Sequence, residues 1–190
     1  MKDFLNVYIT KIPFECDDIF SIERKQYISK ANNENVIRDR FYSWKLLETA
    51  IENSVGISIK DVQFKRKENE KWVCDVCEFS ISHGHGFACV AISNKNVGVD
   101  IECDDGRDYE KLKQMVLLPQ EKCETIDEFL KIWTAKEAIF KSLDTCHFNP
   151  KDYDTTQADN FLNQIVEING QKVILSVCSE NINLFKIFIF

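Results

Sequence analysis

The sequence lacks any apolar run long enough to span a bilayer, and its first residues lack the basic start and apolar middle of a secretory signal. Hydrophobic residues make up 44% of the 190 residues and charged residues 29%, a balance typical of folded rather than disordered chains. A chain of this length can bury one substantial core. The sequence therefore predicts a soluble, cytoplasmic, single compact domain with no membrane partner.

An excess of basic residues is also lacking, because 24 Lys and Arg stand against 31 Asp and Glu and give a net charge of −7. This balance argues against nucleic-acid binding, which needs basic residues in excess on one face. Any anionic ligand must therefore be met by a local basic group. Three such groups occur, and each also suits an ordinary solvated surface: Arg24, Lys25 and Lys30; Arg38 and Arg40; and Lys65, Arg66, Lys67 and Lys71.

The eight cysteines include one closely spaced pair, Cys74 and Cys77, in the stretch CDVC. This spacing occurs in zinc knuckles and in redox motifs, but a structural zinc site needs four ligands. The sequence contains no second pair of this spacing and only three histidines. We therefore interpret all eight cysteines as reduced small hydrophobes, with Cys74 and Cys77 in a strand.

Hydrophobic periodicity divides the chain into two successive units with the same order of elements. Each unit begins with a strand, continues with two helices and ends with further strands. The first unit has predicted strands at 4–10, 61–67, 71–81 and 87–93, helices at 19–31 and 33–57, and turns at 67–70 and 82–86. The second has predicted strands at 97–103, 161–168, 171–179 and 184–190, and helices at 108–119 and 125–143.

This repeated order predicts an α+β fold, a pseudo-twofold arrangement of two similar α/β halves. The halves are residues 1–95 and 96–190, and together they form one compact catalytic unit. A cleft between them would be the natural ligand site. Because one chain supplies both walls of that cleft, we expect a monomer.

The stretch NVGVDIE, residues 96–102, carries two acids in an otherwise apolar, β-branched run. Side chains two residues apart on a strand point to the same face, so Asp100 and Glu102 project together while Val97, Val99 and Ile101 face the core. The acids could be the wet side of an edge strand. They could equally be hard oxygen ligands, which suit Mg²⁺ together with water and phosphate.

A third carboxylate, Glu137, lies in the predicted helix 125–143 with Lys141 four residues further on and therefore on the same face. Lys136 precedes the acid. An ordinary surface Glu–Lys pair would have this spacing too. Trp133 and Phe140 on either side of Glu137 indicate instead that this face is half-buried, and such a group of acids and lysines is suited to binding a diphosphate.

Three segments resemble, in order, the signature segments of the surfactin-type 4'-phosphopantetheinyl transferases. They are FSISHGHGFACVAIS (residues 79–93), VGVDIE (97–102) and WTAKEAIFK (133–141). The long helix with RDRFYSWKLL and the segment LLPQEK extend the resemblance over nearly the whole chain. It implies the family's pseudo-twofold fold and a transferase that moves the phosphopantetheine arm of coenzyme A onto a serine of an apo acyl or peptidyl carrier protein, releasing adenosine 3',5'-bisphosphate.

By position, the resemblance implies that Asp100, Glu102 and Glu137 bind Mg²⁺. Our mechanistic hypothesis is that Glu137, directly or through a water, takes the serine proton. Lys141 and Lys136 match the family's motif lysines, and Lys141 would offset charge on the departing phosphate. The resemblance further implies the coenzyme A contacts, which involve the following residues: Ser82, His83, Asp100 and Lys141, with Arg24, Lys25 and Lys30 for the 3'-phosphate.

The sequence departs from the family pattern in the first segment, where Ser80, Gly84 and His85 replace an Asn, a Ser and a Gly. The upstream Gly-Lys-Pro is absent, and SLDTCHFNP replaces the glycines after the third segment. Two alternatives to a transferase stay open: a module that binds carrier protein or nucleotide without catalysis, and a Mg²⁺-dependent phosphohydrolase.

Overall fold

The computed structural model of the protein describes residues 2–67 and 71–190. The turn expected at 67–70 rests on residues 68–70, which lie outside the described residues. The helices are α1 (Ile22–Ile28), α2 (Glu34–Val55), α3 (Glu110–Val116) and α4 (Ile126–Ser142). The strands are β1 (Leu5–Lys11), β2 (Phe64–Arg66), β3 (Trp72–Cys74), β4 (Glu78–Gly84), β5 (Phe87–Ser93), β6 (Val97–Glu102), β7 (Phe161–Ile168), β8 (Gln171–Ser179) and β9 (Phe185–Ile189).

The two halves of the chain build sheets of the same topology. In the first half the strand order is β4-β5-β1, and in the second it is β7-β8-β6, with antiparallel pairing throughout. Each sheet carries one long helix, α2 on the first and α4 on the second. The predicted α+β class is therefore confirmed, and the same path of strand, two helices and strands occurs twice.

The last strand crosses between the halves. β9 follows the second half in sequence, but it pairs in parallel with β1 and extends the first sheet to four strands. A short hairpin of β2 and β3 stands apart from both larger sheets. The division at residues 95 and 96 stays a prediction, and β9 joins the two sides of that division through backbone hydrogen bonds.

Helix α2 follows from its sequence pattern and its caps. The Asn33 side chain accepts hydrogen bonds from backbone amides of the first turn, and Gly56 ends the helix in the left-handed conformation, at φ 74°. Trp44, Leu47 and Ile51 recur at the predicted spacing and are fully buried against the first sheet. This apolar stripe attaches α2 to the sheet that carries β4.

Helix α4 begins at a capping box, in which Thr125 and Glu128 each satisfy a backbone amide of the other. It lies unusually close to β6 because residue 98 is glycine. A Cβ atom at Gly98 would overlap the backbone of Ala138 and Ser142. Gly98, Asp100 and Glu102 share one face of β6, so this close approach brings the two acids against α4.

The two sheets meet where the edge strands β4 and β6 run side by side. Serine side chains of β4 replace the missing backbone ladder: Ser80 Oγ accepts from the Val99 amide at 3.0 Å, and Ser82 Oγ accepts from the Ile101 amide at 3.4 Å. The backbone of β6 is therefore hydrogen-bonded on both edges. This seam positions Asp100 and Glu102 at the junction of the halves.

The predicted strand 71–81 is wrong in its middle, where a bend at residues 75–76 separates β3 from β4. The Asp75 carboxylate accepts a hydrogen bond from the Gln63 amide at 3.0 Å, which turns the chain away from the β2–β3 ladder. Cys74 ends β3, but Cys77 follows the bend and is not in a strand. In the described part of the chain, no helix is both long and apolar enough to cross a membrane.

Candidate active site

Three acids line one cavity of about 330 Å³ at the junction of the sheets. Asp100 and Glu102 come from β6, and Glu137 comes from α4, which crosses their face of the strand. Lys141 and His83 line the same cavity. The structure thus brings together all three predicted metal ligands and one of the two motif lysines.

Asp100 is buried, with 3% of its surface exposed. Its Oδ1 atom accepts from the Ser82 hydroxyl at 2.7 Å and from Lys141 Nζ at 2.6 Å. Its Oδ2 atom is buried without a hydrogen-bond partner among the described residues. Burial raises the pKa of Asp100, because a low-dielectric surrounding disfavours the carboxylate, while Lys141 and Ser82 oppose this rise.

Lys141 lies between two acids, with Nζ 2.6 Å from Asp100 Oδ1 and 3.5 Å from Glu137 Oε2. Burial alone would lower the pKa of Lys141, but the Asp100 and Glu137 carboxylates outweigh it and hold the pKa above its usual value. The pKa of Glu137 is raised by burial first and by the Asp100 charge second. One fixed ammonium therefore faces two carboxyl groups that protonate more easily than exposed ones.

Glu102 is positioned by groups that the sequence argument did not assign. Trp133 Nε1 donates to Glu102 Oε1 at 3.2 Å, and His85 Nε2 lies 2.8 Å from Glu102 Oε2. The hydrogen bond to Glu102 raises the pKa of His85. His85 occupies a tight turn at φ 55°, in the left-handed region that favours glycine. The residue that replaces the family's glycine thus reaches an acid of the site.

A second cavity, of about 380 Å³, adjoins the first and shares Ile81, His83 and Lys141 with it. Its lining is basic and aromatic, and includes Arg24, Lys71 and Trp72. An acidic pocket and a basic pocket therefore meet at three shared residues. This arrangement suits a ligand with several phosphates that also recruits a cation.

Arg24 is buried, and its guanidinium lies 4.5 Å from the centre of the Trp44 ring and 5.0 Å from that of Tyr27. Its Nε atom has no hydrogen-bond partner within the described residues. Burial lowers the pKa of Arg24 to about 10, and the neighbouring Arg40 and Arg66 add to the effect. The guanidinium groups of Arg40 and Arg66 also stack on the Tyr27 ring, at 4.9 and 4.6 Å from its centre.

Of the other predicted phosphate contacts, Ser82 lines the acidic cavity, whereas Lys25 and Lys30 lie away from both cavities. Lys25 pairs with Asp18 at 2.6 Å on the surface, and Lys30 is exposed in the turn after α1. Neither residue lines either cavity. Ser82 is buried, and its hydroxyl donates to Asp100, so its side chain serves the acid in this structure. Their contacts with coenzyme A stay predictions.

Lys136 is not brought to the acids. It is fully buried, its Nζ atom lies 2.6 Å from Glu121 Oε2, and it donates to the Pro150 carbonyl at 3.0 Å. Glu121 is also buried and accepts from the Leu118 amide and from both the amide and the hydroxyl of Thr155. This saturated ion pair joins α4 to two loops.

Glu121 was missed because nothing in LLPQEK distinguishes it from a surface acid after a helix. Its partner lies on another element, so no periodic signal links the two residues. Burial would raise the pKa of Glu121, but its hydrogen bonds to Lys136, Leu118 and Thr155 outweigh burial and lower it. The predicted catalytic lysine therefore has a buried acid as its partner, on the side of α4 away from the cavity.

Asp100, Glu102 and Glu137 are the predicted ligands of Mg²⁺. No group of three His, Cys, Asp or Glu side chains is arranged to hold a metal ion within residues 2–67 and 71–190. The Lys141 ammonium lies between Asp100 and Glu137, where its single positive charge offsets part of their negative charge. The donor chemistry nevertheless fits Mg²⁺, because carboxylate oxygens are its preferred protein ligands and Asp100 Oδ2 has no partner.

Comparison with known proteins adds an independent result. Residues 96–181 match the family model of the 4'-phosphopantetheinyl transferase superfamily. No curated protein matches the chain. The matched region begins at β6 and includes Asp100, Glu102, Glu137 and Lys141. This match, which covers a little less than half of the chain, indicates a 4'-phosphopantetheinyl transferase.

Proposed function

We propose that the protein is a Mg²⁺-dependent holo-carrier-protein synthase of the surfactin type. It transfers 4'-phosphopantetheine from coenzyme A to a serine of an apo acyl or peptidyl carrier protein and releases adenosine 3',5'-bisphosphate. The observation that carries the proposal is the convergence of Asp100, Glu137 and Lys141 where the acidic and basic cavities meet. A diphosphate needs both kinds of neighbour, cations for its charge and acids for the ion that accompanies it.

The basic cavity is proposed to bind the nucleotide phosphates of coenzyme A. His83 and Lys141 line both cavities, so they suit the diphosphate that joins the nucleotide to the pantetheine arm. Arg24, with the adjacent Arg40 and Arg66, concentrates positive charge near Tyr27 and suits the 3'-phosphate. Of the three residues that the resemblance offers for this phosphate, the geometry supports only Arg24.

Asp100, Glu102 and Glu137 would hold the magnesium ion. When bound, Mg²⁺ neutralises charge on the diphosphate oxygens and so makes the phosphorus easier to attack. Asp100 Oδ2, which has no partner among the described residues, would contact the ion, while Oδ1 holds the Lys141 ammonium at the cavity for the substrate phosphates. Glu102 is held ready by Trp133 and His85.

Glu137 is proposed to accept the proton of the carrier serine, directly or through a water. Its raised pKa suits this task, because a carboxylate of higher pKa is a stronger base. Lys141 donates to the phosphate oxygens and stabilises the negative charge on the departing bisphosphate. Positioning and charge compensation account for most of the catalysis in such transfers.

The decisive experiment incubates the protein with coenzyme A, Mg²⁺ and a panel of apo acyl and peptidyl carrier proteins, and then weighs the intact carriers. A carrier whose mass rises by one phosphopantetheine group, together with free adenosine 3',5'-bisphosphate, supports the proposal. Unmodified carriers with cleaved coenzyme A would indicate a phosphohydrolase. Unmodified carriers with intact, bound coenzyme A would indicate a binding module.

A further inference from the structure

The two cysteines of the CDVC stretch lie beside each other in the fold. Their Sγ atoms are 3.6 Å apart, and the Cys74 thiol also donates to the Cys77 carbonyl at 3.3 Å. The bend that brings them together is fixed by the bond between Asp75 and the Gln63 amide. To close a disulfide, with its bond of about 2.0 Å, the two Sγ atoms must approach each other by about 1.6 Å within this bend.

The surroundings of the pair leave it within reach of a small reagent. Cys74 and Cys77 are half-buried, whereas Cys89, Cys103 and Cys178 are buried. No other two of the eight cysteines lie within ten residues of each other in the sequence. The pair therefore combines partial exposure with a nearby second thiol.

The pair also divides the roles that thiol–disulfide exchange requires. The hydrogen bond from the Cys77 thiol lowers the pKa of Cys74 to about 7. The same bond, together with burial, raises the pKa of Cys77. Near neutral pH Cys74 is thus the thiol that ionises more readily and attacks, and Cys77 is the thiol that resolves.

We propose that Cys74 and Cys77 are a reversible redox site that closes an intrachain disulfide by exchange with small-molecule disulfides such as oxidised glutathione. The Cys74 thiolate attacks one sulfur of the small disulfide, which forms a mixed disulfide and releases one thiolate. The Cys77 sulfur, losing its proton, then attacks the Cys74 sulfur and releases the second thiol. Two protein thiols are oxidised, and one small disulfide is reduced to two thiols.

The site is separate from the acids of the candidate active site. Cys74 pairs in register with Phe64 at the end of β3, and neither cysteine lines the cavity that contains Asp100. Cys74 lies two residues from Trp72, which lines the basic cavity. The redox state can therefore be measured without reference to transfer, and the two proposals can fail independently.

The experiment equilibrates the whole protein in glutathione buffers of increasing oxidised fraction, then denatures and alkylates it with iodoacetamide. Tryptic cleavage at Lys71 and Lys95 gives one peptide with Cys74, Cys77 and Cys89. We expect this peptide to change from three alkyl groups to one, with the loss of two hydrogens, and to return to three on reduction. Alkylation of all three cysteines throughout the series would overturn the proposal.

Two variants test the division of roles. C77S should accumulate glutathione on Cys74, because a serine hydroxyl can still donate to the Cys74 sulfur. C74S should carry roughly tenfold less on Cys77, because burial still raises the pKa of Cys77. C146S, which changes an exposed cysteine, should leave the Cys74–Cys77 bond unaffected. Equal glutathione on both positions would contradict the assigned order of attack. If the serine variants fail to fold, the number of alkyl groups on the wild-type peptide decides whether the disulfide forms.

Discussion

Two lysines of α4 are each held by a carboxylate at 2.6 Å, yet their surroundings differ. The pair of Lys136 and Glu121 is sealed from solvent, and five hydrogen bonds or ionic contacts from two loops and the helix saturate the acid and the base. The pair of Lys141 and Asp100 borders two cavities and leaves Asp100 Oδ2 without a partner. A saturated ion pair holds the scaffold, whereas an unsaturated one can still take up a ligand.

Lys136 and Glu137 are neighbours in the sequence, yet we expect substitution of Glu137 to reduce turnover and substitution of Lys136 to reduce stability. We expect Glu137→Gln to lower kcat by roughly 10²- to 10⁴-fold, because it removes the proposed base. The urea-unfolding free energy should change by less than about 1 kcal/mol, since Glu137 is only partly buried. Glu167→Gln makes the same chemical change on an exposed position of β7 and serves as the control. Near-normal turnover in Glu137→Gln would remove this residue from the mechanism.

The substitution Lys136→Met should have the opposite effect to Glu137→Gln, reducing stability and leaving turnover unchanged. It should lower the free energy of unfolding by about 3–5 kcal/mol, because it leaves the buried Glu121 charge without its ion partner. Urea denaturation measures this loss, and Lys111→Met on the exposed face of α3 is the matched control. Turnover per folded molecule should stay close to wild type. A stable variant with lost turnover would instead return Lys136 to the catalytic group.

The buried ion pair of Lys136 and Glu121 should also make the unfolding free energy depend on pH. The folded-state pKa of Glu121 is lowered, so its contribution to stability is complete above the unfolded value of about 4.3 and is lost as pH falls through the folded value. In Glu121→Gln this loss is absent. Below about pH 4.3 its unfolding free energy should therefore depend less steeply on pH, by up to about 1.4 kcal/mol per pH unit. Parallel profiles for the two proteins would contradict the lowered pKa.

The smallest effect concerns the support of Asp100. Ser82→Ala removes the hydroxyl that donates to Asp100 and accepts from the Ile101 amide. We expect a loss of about 1–2 kcal/mol in unfolding free energy, because both partners are buried. Ser58→Ala, at an exposed serine that makes no capping hydrogen bond, should be neutral. If the two variants unfold alike, Ser82 does not support the acid.

Local sequence patterns were enough to predict much of the fold and the positions of several site residues. The alternation in NVGVDIE correctly placed Asp100 and Glu102 on one face, and helical spacing placed Glu137 and Lys141 together. The repeated order of elements likewise agrees with two sheets of the same topology. Each of these inferences depends only on residues that are neighbours along one element, where periodicity fixes direction.

What the sequence could not supply are contacts between distant segments. Lys136 was grouped with the acids because it adjoins Glu137, but its direction is set by Glu121 on another loop. The role of Arg24 rests on Trp44 and Tyr27, which surround it only once α1 and α2 have packed. The pairing of β9 with β1 cannot be predicted from the local sequence either, because an edge strand has the same residue pattern whichever sheet it joins.

That pairing has a consequence for how the protein can be divided. A cut between residues 95 and 96 would leave β1 with an open edge and β9 without a neighbour, although each half keeps its own long helix. The halves share a topology, yet neither contains the full set of strands of the first sheet. We therefore expect the two halves to fold together, because the first sheet is complete only when the last strand has paired with the first.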